Sequence, residues 1–154
     1  MILPVRRTVK AYITHRQRLL VFRQPDFPDA GIQAPGGAVR PDEPLDDAAL
    51  REAFEETGLA DLRLVAFLGD TRYDGTPRGK PEIDHRHYYH LRADGDVPER
   101  WQHWETDPSD GPHDRILFEL FWVSLPHDVP PLIAGMDEML PALVERLRRE
   151  ALLR

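Results

Sequence analysis

The chain has 154 residues, 41% hydrophobic and 31% charged, which suits one soluble domain large enough to bury a core. It has no cysteine, which excludes disulfides, thiolate zinc sites and a cysteine nucleophile. Its net charge of −7 argues against a non-specific nucleic-acid binder, although a divalent cation can reverse the local sign and admit phosphates.

The start, MILPVRRTVKAYIT, lacks the long apolar stretch of a signal peptide. No apolar run approaches the roughly 18 residues of a membrane span, so a cytoplasmic protein without a membrane partner is expected. Residues 5–14, with β-branched and aromatic types, and residues 19–24 read as strands. The basic turn at 15–18 suits a hairpin between them. Residues 25–31 are turn-rich, with two prolines, two aspartates and a glycine. A loop over 40–44 leads into a helix over Leu45–Thr57, stopped by Gly58. Asp46 and Asp47 suit the positive end of that helix. Strands are expected over 62–68 and 83–91, with a loop broken by glycine and proline over 71–81. Residues 92–115 read as long, polar and irregular, yet contain Trp101 and Trp104. The run ILFELFWVSL at 116–125 is the strongest strand signal, and 136–153 reads as an amphipathic closing helix. Strands before, between and after two distant helices point to an α/β fold with helices on the faces of a mixed β-sheet.

The first helix carries an unusual load of charge. On a helical wheel Leu50, Ala53, Phe54 and Thr57 share one face, expected to pack on a sheet. Glu52, Glu55 and Glu56 fall on the opposite face, where like-charge neighbours cost about 0.2–0.5 kcal/mol per pair in water. Taken alone, such a triplet is most often a solvated acidic face. The sharper alternative is a site for hard divalent cations, because Mg²⁺ takes one or two carboxylates and completes its shell with water and phosphate oxygens. Arg51, four residues before Glu55, can orient a carboxylate.

The flanking residues decide between these readings. Gly37, Glu43, Arg51, Glu52, Glu55, Glu56 and Gly58 follow the spacing G-x5-E-x7-R-E-x-x-E-E-x-G, with Ala53 and Leu59 apolar. This stretch resembles the signature of the Nudix hydrolase superfamily at every fixed position. Pro35-Gly36-Gly37 looks like the usual entry, while Asp42 and Pro44 depart from the common loop. The resemblance implies a single Nudix domain over 1–154 with its box at 37–59. It also implies an α/β/α sandwich with a mixed sheet, a Nudix helix and a C-terminal helix. The implied activity is Mg²⁺-dependent hydrolysis of a nucleoside diphosphate linked to another group, with Mn²⁺ as a substitute cation. Glu52, Glu55 and Glu56 would hold the metal, and Arg51 would orient a glutamate. Glu43 would support the loop, and Gly36 and Gly37 would let the backbone turn beside the site. A homodimer and a small nucleotide substrate are further implications, with no nucleic-acid polymer. The competing reading is a non-catalytic nucleotide-binding module of the same fold, which would usually lack box carboxylates.

Outside the box the signals are weaker. The resemblance also implies an extra acidic residue from a later strand or loop, with Glu105, Asp107, Asp114 and Glu119 as candidates, of which Glu119 is the most conspicuous because it interrupts an apolar strand. Arg23 is a candidate phosphate contact. His85 and His87 read as a base, a substrate contact or an ordinary strand pair. Trp101 and Trp104 either stack a base or anchor their loop. In related enzymes a proline or a tyrosine at set distances after the box marks the substrate. Here Tyr73 and Pro77 stand out of register, so the substrate stays general.

Overall fold

The computed structural model describes residues 2–105 and 115–152. The molecule is arranged around strand β1 (Val5–His15), whose alternate side chains are buried on both faces. β1 runs parallel to β5 (Ile83–Ala93), in register from Val5↔Ile83 to Thr14↔Arg92. It forms a hairpin with β2 (Arg18–Arg23), paired at Thr14↔Leu19 and His15↔Arg18 and turned by Arg16 and Gln17 at positive φ. Beyond that hairpin the two strands part, and the segment 33–38 enters between them. Phe22 N–H donates to the Gln33 carbonyl and Ala11 N–H to the Pro35 carbonyl. The short β3 (Gly36–Ala38) then pairs with Thr8–Lys10 of β1. This split in the sheet delivers the glycine pair to the centre of the fold.

On one side the sheet continues from β5 to β4 (Leu62–Asp74), and on the other from β2 to β7 (Leu117–Ser124) and β6 (Arg100–Trp104). The β1–β5 pair is parallel and the other named pairs antiparallel, so the sheet is mixed. Val9, Ala11, Ile13 and Leu91 line one face and pack under Ala48, Ala49 and Ala53 of α1 (Leu45–Thr57). Tyr12, Leu19, Val21 and Tyr88 line the other and pack against Leu143 of α2 (Leu140–Leu152). The result is the α/β/α sandwich with a mixed sheet. No helix among the described residues is long and apolar enough to cross a membrane.

Helix α1 has the expected bounds, ending at Gly58, whose φ of 75° gives the left-handed stop. Its orientation differs from the wheel. Phe54 is 53% exposed, whereas Glu52 and Glu56 are buried beside Ala53 and Thr57. The stripe facing the sheet is made of small residues, so the helix lies close and carries two carboxylates inward. Helix α2 starts at Leu140 rather than 136, because Pro141 has no N–H and fits only the first turn. Residues 133–135 form a 3₁₀ turn before it. Strand β4 runs on to Asp74 through register shifts around Leu64–Gly69, replacing part of the expected loop. Strand β6 lies within the stretch expected to be irregular, as an edge strand whose burial alternates.

Candidate active site

The box closes on itself around Arg51. Its Nε and Nη2 donate to the two oxygens of Glu43 at 2.7 and 2.8 Å, a bidentate pair. Nη1 donates to Glu52 at 2.8 Å and Glu55 at 3.1 Å, and Nη2 also reaches the Ala38 carbonyl. The Arg51 guanidinium holds the Glu43 carboxyl down at about 2. One arginine thus ties the loop, β3 and two box glutamates into a fixed frame.

The inner carboxylates have the opposite electrostatics. Glu52 is 2% exposed, and burial pushes its carboxyl up to about 7 despite Arg51, with Glu55 and Glu105 repelling its charge. Glu56 is raised well above its ordinary range by burial, and the charges of Glu105 and Glu52 push the same way. Its Oε1 accepts the Gly36 N–H at 2.5 Å. Lys10, buried in β1 opposite Gly36, offsets part of that charge. Buried carboxylates that repel one another form an all-oxygen donor set, of a kind that suits a hard cation.

The glycines make this possible. A Cβ on Gly37 would lie 2.2 Å from Glu52 Oε2, and one on Gly36 would lie 2.3 Å from the Val9 carbonyl oxygen. Gly37→Ala is therefore expected to push the Glu52 carboxylate aside and weaken Mg²⁺ binding by about tenfold, a cost typical of disturbed ligand support. Calorimetric titration checks this, and an unchanged affinity would remove Glu52 from any cation site.

A cavity of about 380 Å³ opens against Gly36 and Gly37 and is lined by Arg6, Lys10, Arg78, Lys80 and Arg86 among others. A larger one, about 590 Å³, lies at the far end of β1 around His15, Arg92 and Glu150, and no box residue lines it. The smaller cavity is the one that reaches the box, at Gly36 and Gly37, and its five cationic residues outnumber Glu82 and Asp84, which suits phosphates.

A model of the NUDIX domain matches residues 4–143, nearly the whole chain. The chain belongs to the NUDIX family of hydrolases. Solved structures of similar fold include a MutT NUDIX hydrolase from Burkholderia pseudomallei, 24% identical, with a TM-score of 0.65 over 90% of this chain and 98% of that one. An ADP-ribose pyrophosphatase from Streptococcus suis is 21% identical, with a TM-score of 0.60 over 93% and 92% of the two chains. A UDP-X diphosphatase is 14% identical, with a TM-score of 0.66 over 97% and 66%. At these identities the likeness is one of fold. No curated protein sequence matches.

Around this Nudix box the other candidates sort by position. Glu105, at the end of β6, is buried and close enough to raise both Glu52 and Glu56. Glu119 instead accepts hydrogen bonds from Arg23 at 2.8 Å and Arg100 at 2.6 Å, in a group of three charges across β2, β7 and β6. Arg23 is thereby engaged by Glu119. Asp107 and Asp114 lie outside the described residues. Trp101 Nε1 donates to the Thr57 carbonyl and His103 Nε2 meets the Glu55 carbonyl. Strand β6 thus serves carbonyls that the last turn of α1 cannot satisfy itself. Trp104 is 44% exposed under Arg115. His85 and His87 lie on β5, where His85 Nε2 meets Asp70 Oδ2 and His87 Nδ1 meets the Thr8 carbonyl oxygen. Sequence reasoning gave His103 no role, since nothing in the sequence brings β6 to the helix end.

Proposed function

We propose that this NUDIX hydrolase cleaves the pyrophosphate linkage of a nucleoside diphosphate joined to another group, using Mg²⁺ held by Glu52, Glu55 and Glu56. The observation that carries this is the pair of buried, mutually repelling carboxylates, Glu52 and Glu56, beside a cationic cavity. The bound cation, or Mn²⁺ in its place, would offset charge on the diphosphate and polarise the attacking water.

The chain's own residues prepare that chemistry. Arg51 is a positioning residue: it fixes Glu52 and Glu55 and neutralises part of their charge. Gly36 N–H orients Glu56. Glu105 supplies the extra carboxylate, and the base that takes the proton of water is drawn from Glu52, Glu56 and Glu105. Arg6, Lys10 and Lys80 face the cavity where the phosphates would lie. Two of the similar folds are named for substrates, an ADP-ribose pyrophosphatase and a UDP-X diphosphatase, and both names describe a nucleoside diphosphate joined to another group. A small nucleotide rather than a nucleic-acid polymer is the substrate, in keeping with the acidic chain. A cytoplasmic homodimer is the setting we propose.

A panel of nucleoside triphosphates, nucleotide sugars, ADP-ribose and dinucleoside polyphosphates with Mg²⁺ tests this by product chromatography. Expected is release of a nucleoside monophosphate from at least one member. With that substrate, Glu105→Gln is expected to lower kcat about a hundredfold. Glu119→Gln is expected to leave it within about twofold, because an exposed ion pair carries little. No hydrolysis across the panel, or a greater loss from Glu119→Gln than from Glu105→Gln, would overturn the assignment.

A further inference from the structure

Asp70, His85 and His87 form a cluster that the Nudix chemistry does not use. One ligand atom from each lies within 4.8 Å of the others. The cluster is built by the β4–β5 ladder, in which Asp70 stands directly opposite His87 and Arg72 opposite His85. A register shift between Phe67 and Gly69 precedes Asp70. Before the shift Phe67 packs on Tyr89; after it Asp70, rather than its neighbour Thr71, shares the face of His87. Unbroken alternation from Phe67 would have turned Asp70 to the other face. The bulge therefore brings the carboxylate to the two imidazoles.

The ring orientations are those of ligands. His87 is buried, and its Nδ1 meets the Thr8 carbonyl oxygen at 3.0 Å. A carbonyl only accepts, so Nδ1 carries the proton and Nε2 keeps its lone pair. This is the backbone support that metal-binding histidines usually have. His85 lies beside it, tilted by 44° with ring centroids 4.3 Å apart, and its Nε2 meets Asp70 Oδ2 at 2.7 Å. Bonds of about 2.0–2.2 Å to a tetrahedral cation set ligand atoms about 3.4 Å apart, so this cluster needs shifts of only about 1 Å.

We propose that Asp70, His85 and His87 bind a borderline divalent cation such as Zn²⁺ or Co²⁺, distinct from the Mg²⁺ of the box. Two nitrogens and one oxygen select such ions over Mg²⁺, which prefers oxygen and octahedral geometry. Three protein ligands leave a coordination position open. Asp70 is half-exposed, and so is the approach to that position. Arg7 and Arg72, which flank His85 in register, stay exposed on the same face, so water or an anion fits there. Gly37, Val9, His87 and Asp70 stand in one row across β3, β1, β5 and β4. The cation would therefore lie on the α1 face of the sheet, about 10 Å from the box glycine at two strand spacings. This inference stands on its own geometry and does not depend on the hydrolase reading.

The test is a Zn²⁺ titration of the full chain with Mg²⁺ in excess, followed by calorimetry and by NMR of the histidine rings. Expected are one equivalent bound, shifted ring signals of His85 and His87, and a visible Co²⁺ spectrum when cobalt replaces zinc. Asp70→Asn, at a half-exposed position that spares the fold, is expected to weaken binding at least tenfold. His87→Gln is expected to abolish it, with unchanged circular dichroism as the check on folding. Absence of Zn²⁺ binding, binding without movement of the His85 and His87 signals, or equal affinity in Asp70→Asn would each overturn the proposal.

Discussion

Glu56→Gln is expected to lower kcat by about a thousandfold while leaving the protein folded and no less stable. The two halves of that result follow from the same burial. Glu56 is 6% exposed, and burial with Glu105 and Glu52 nearby disfavours its charge. Glutamine keeps the shape and an oxygen for the Gly36 N–H, so the contact to the β3 backbone survives. It removes the charge, and with it, on the proposed reading, one metal ligand and one proton acceptor. A residue kept for stability would show the reverse pattern, with a lower melting temperature and residual activity. Steady-state kinetics on the substrate found by the panel, paired with thermal unfolding in EDTA, separates the cases. Full activity in Glu56→Gln would sink the assignment of this carboxylate. A melting temperature reduced by 10 °C or more would show that its role is structural, since for a chain of this size about 1 kcal/mol moves it only a few degrees.

What could be read from the sequence depended on how local the cause was. The bounds of α1 are set by residues within it and next to it, notably Gly58, and the structure keeps them. The box spacing is local too, and the Arg51 frame realises it within one loop and one helix. The helical wheel failed because it sorts residues by polarity. It sent Phe54 inward and the glutamates outward, whereas Gly37 clears the space that Glu52 fills. That exchange is visible only once β3 lies beside α1. Strand β6 was missed because Gln102 and His103 weaken its alternation and its ladder is supplied by β7, some 15 residues later. With β6 unseen, Glu105 could not be preferred to Glu119. Glu119 interrupts an apolar strand because it answers Arg23 and Arg100 across the sheet. The β4 bulge, which decides where Asp70 points, leaves as its sequence trace one glycine, Gly69, at a φ of 139°.

Without metal, wild-type protein is expected to lose stability relative to Glu52→Gln as pH rises from 5 to 8, by about 3 kcal/mol. The sign follows from the raised carboxyl of Glu52, about 7 when folded against an ordinary 4.5. Between those values the folded chain holds a proton that the unfolded chain has released, so rising pH favours unfolding. The contribution is complete by about pH 8 and absent below about pH 4. Raw stability would hide it, because His90 works against it. Burial lowers His90 to about 4, so the unfolded chain binds the extra proton there and stability rises between pH 4 and 6.5. His90 is present in both proteins, and the difference between them cancels it. Glu43 is likewise common to both, and its stabilisation is lost only as pH falls from about 4.5 towards 2. Mg²⁺ must reverse the trend if Glu52 is a ligand, because a cation that binds the folded state stabilises it by about 2.7 kcal/mol at a hundred times its Kd. Deprotonated carboxylates are what it binds, so its gain grows with pH in wild type and is reduced in Glu52→Gln. Urea unfolding at pH 5, 6.5 and 8, with EDTA or Mg²⁺, measures all of this. A wild-type-minus-variant difference that is flat with pH would mean that Glu52 titrates normally. An equal Mg²⁺ gain in both proteins would mean that the cation binds elsewhere.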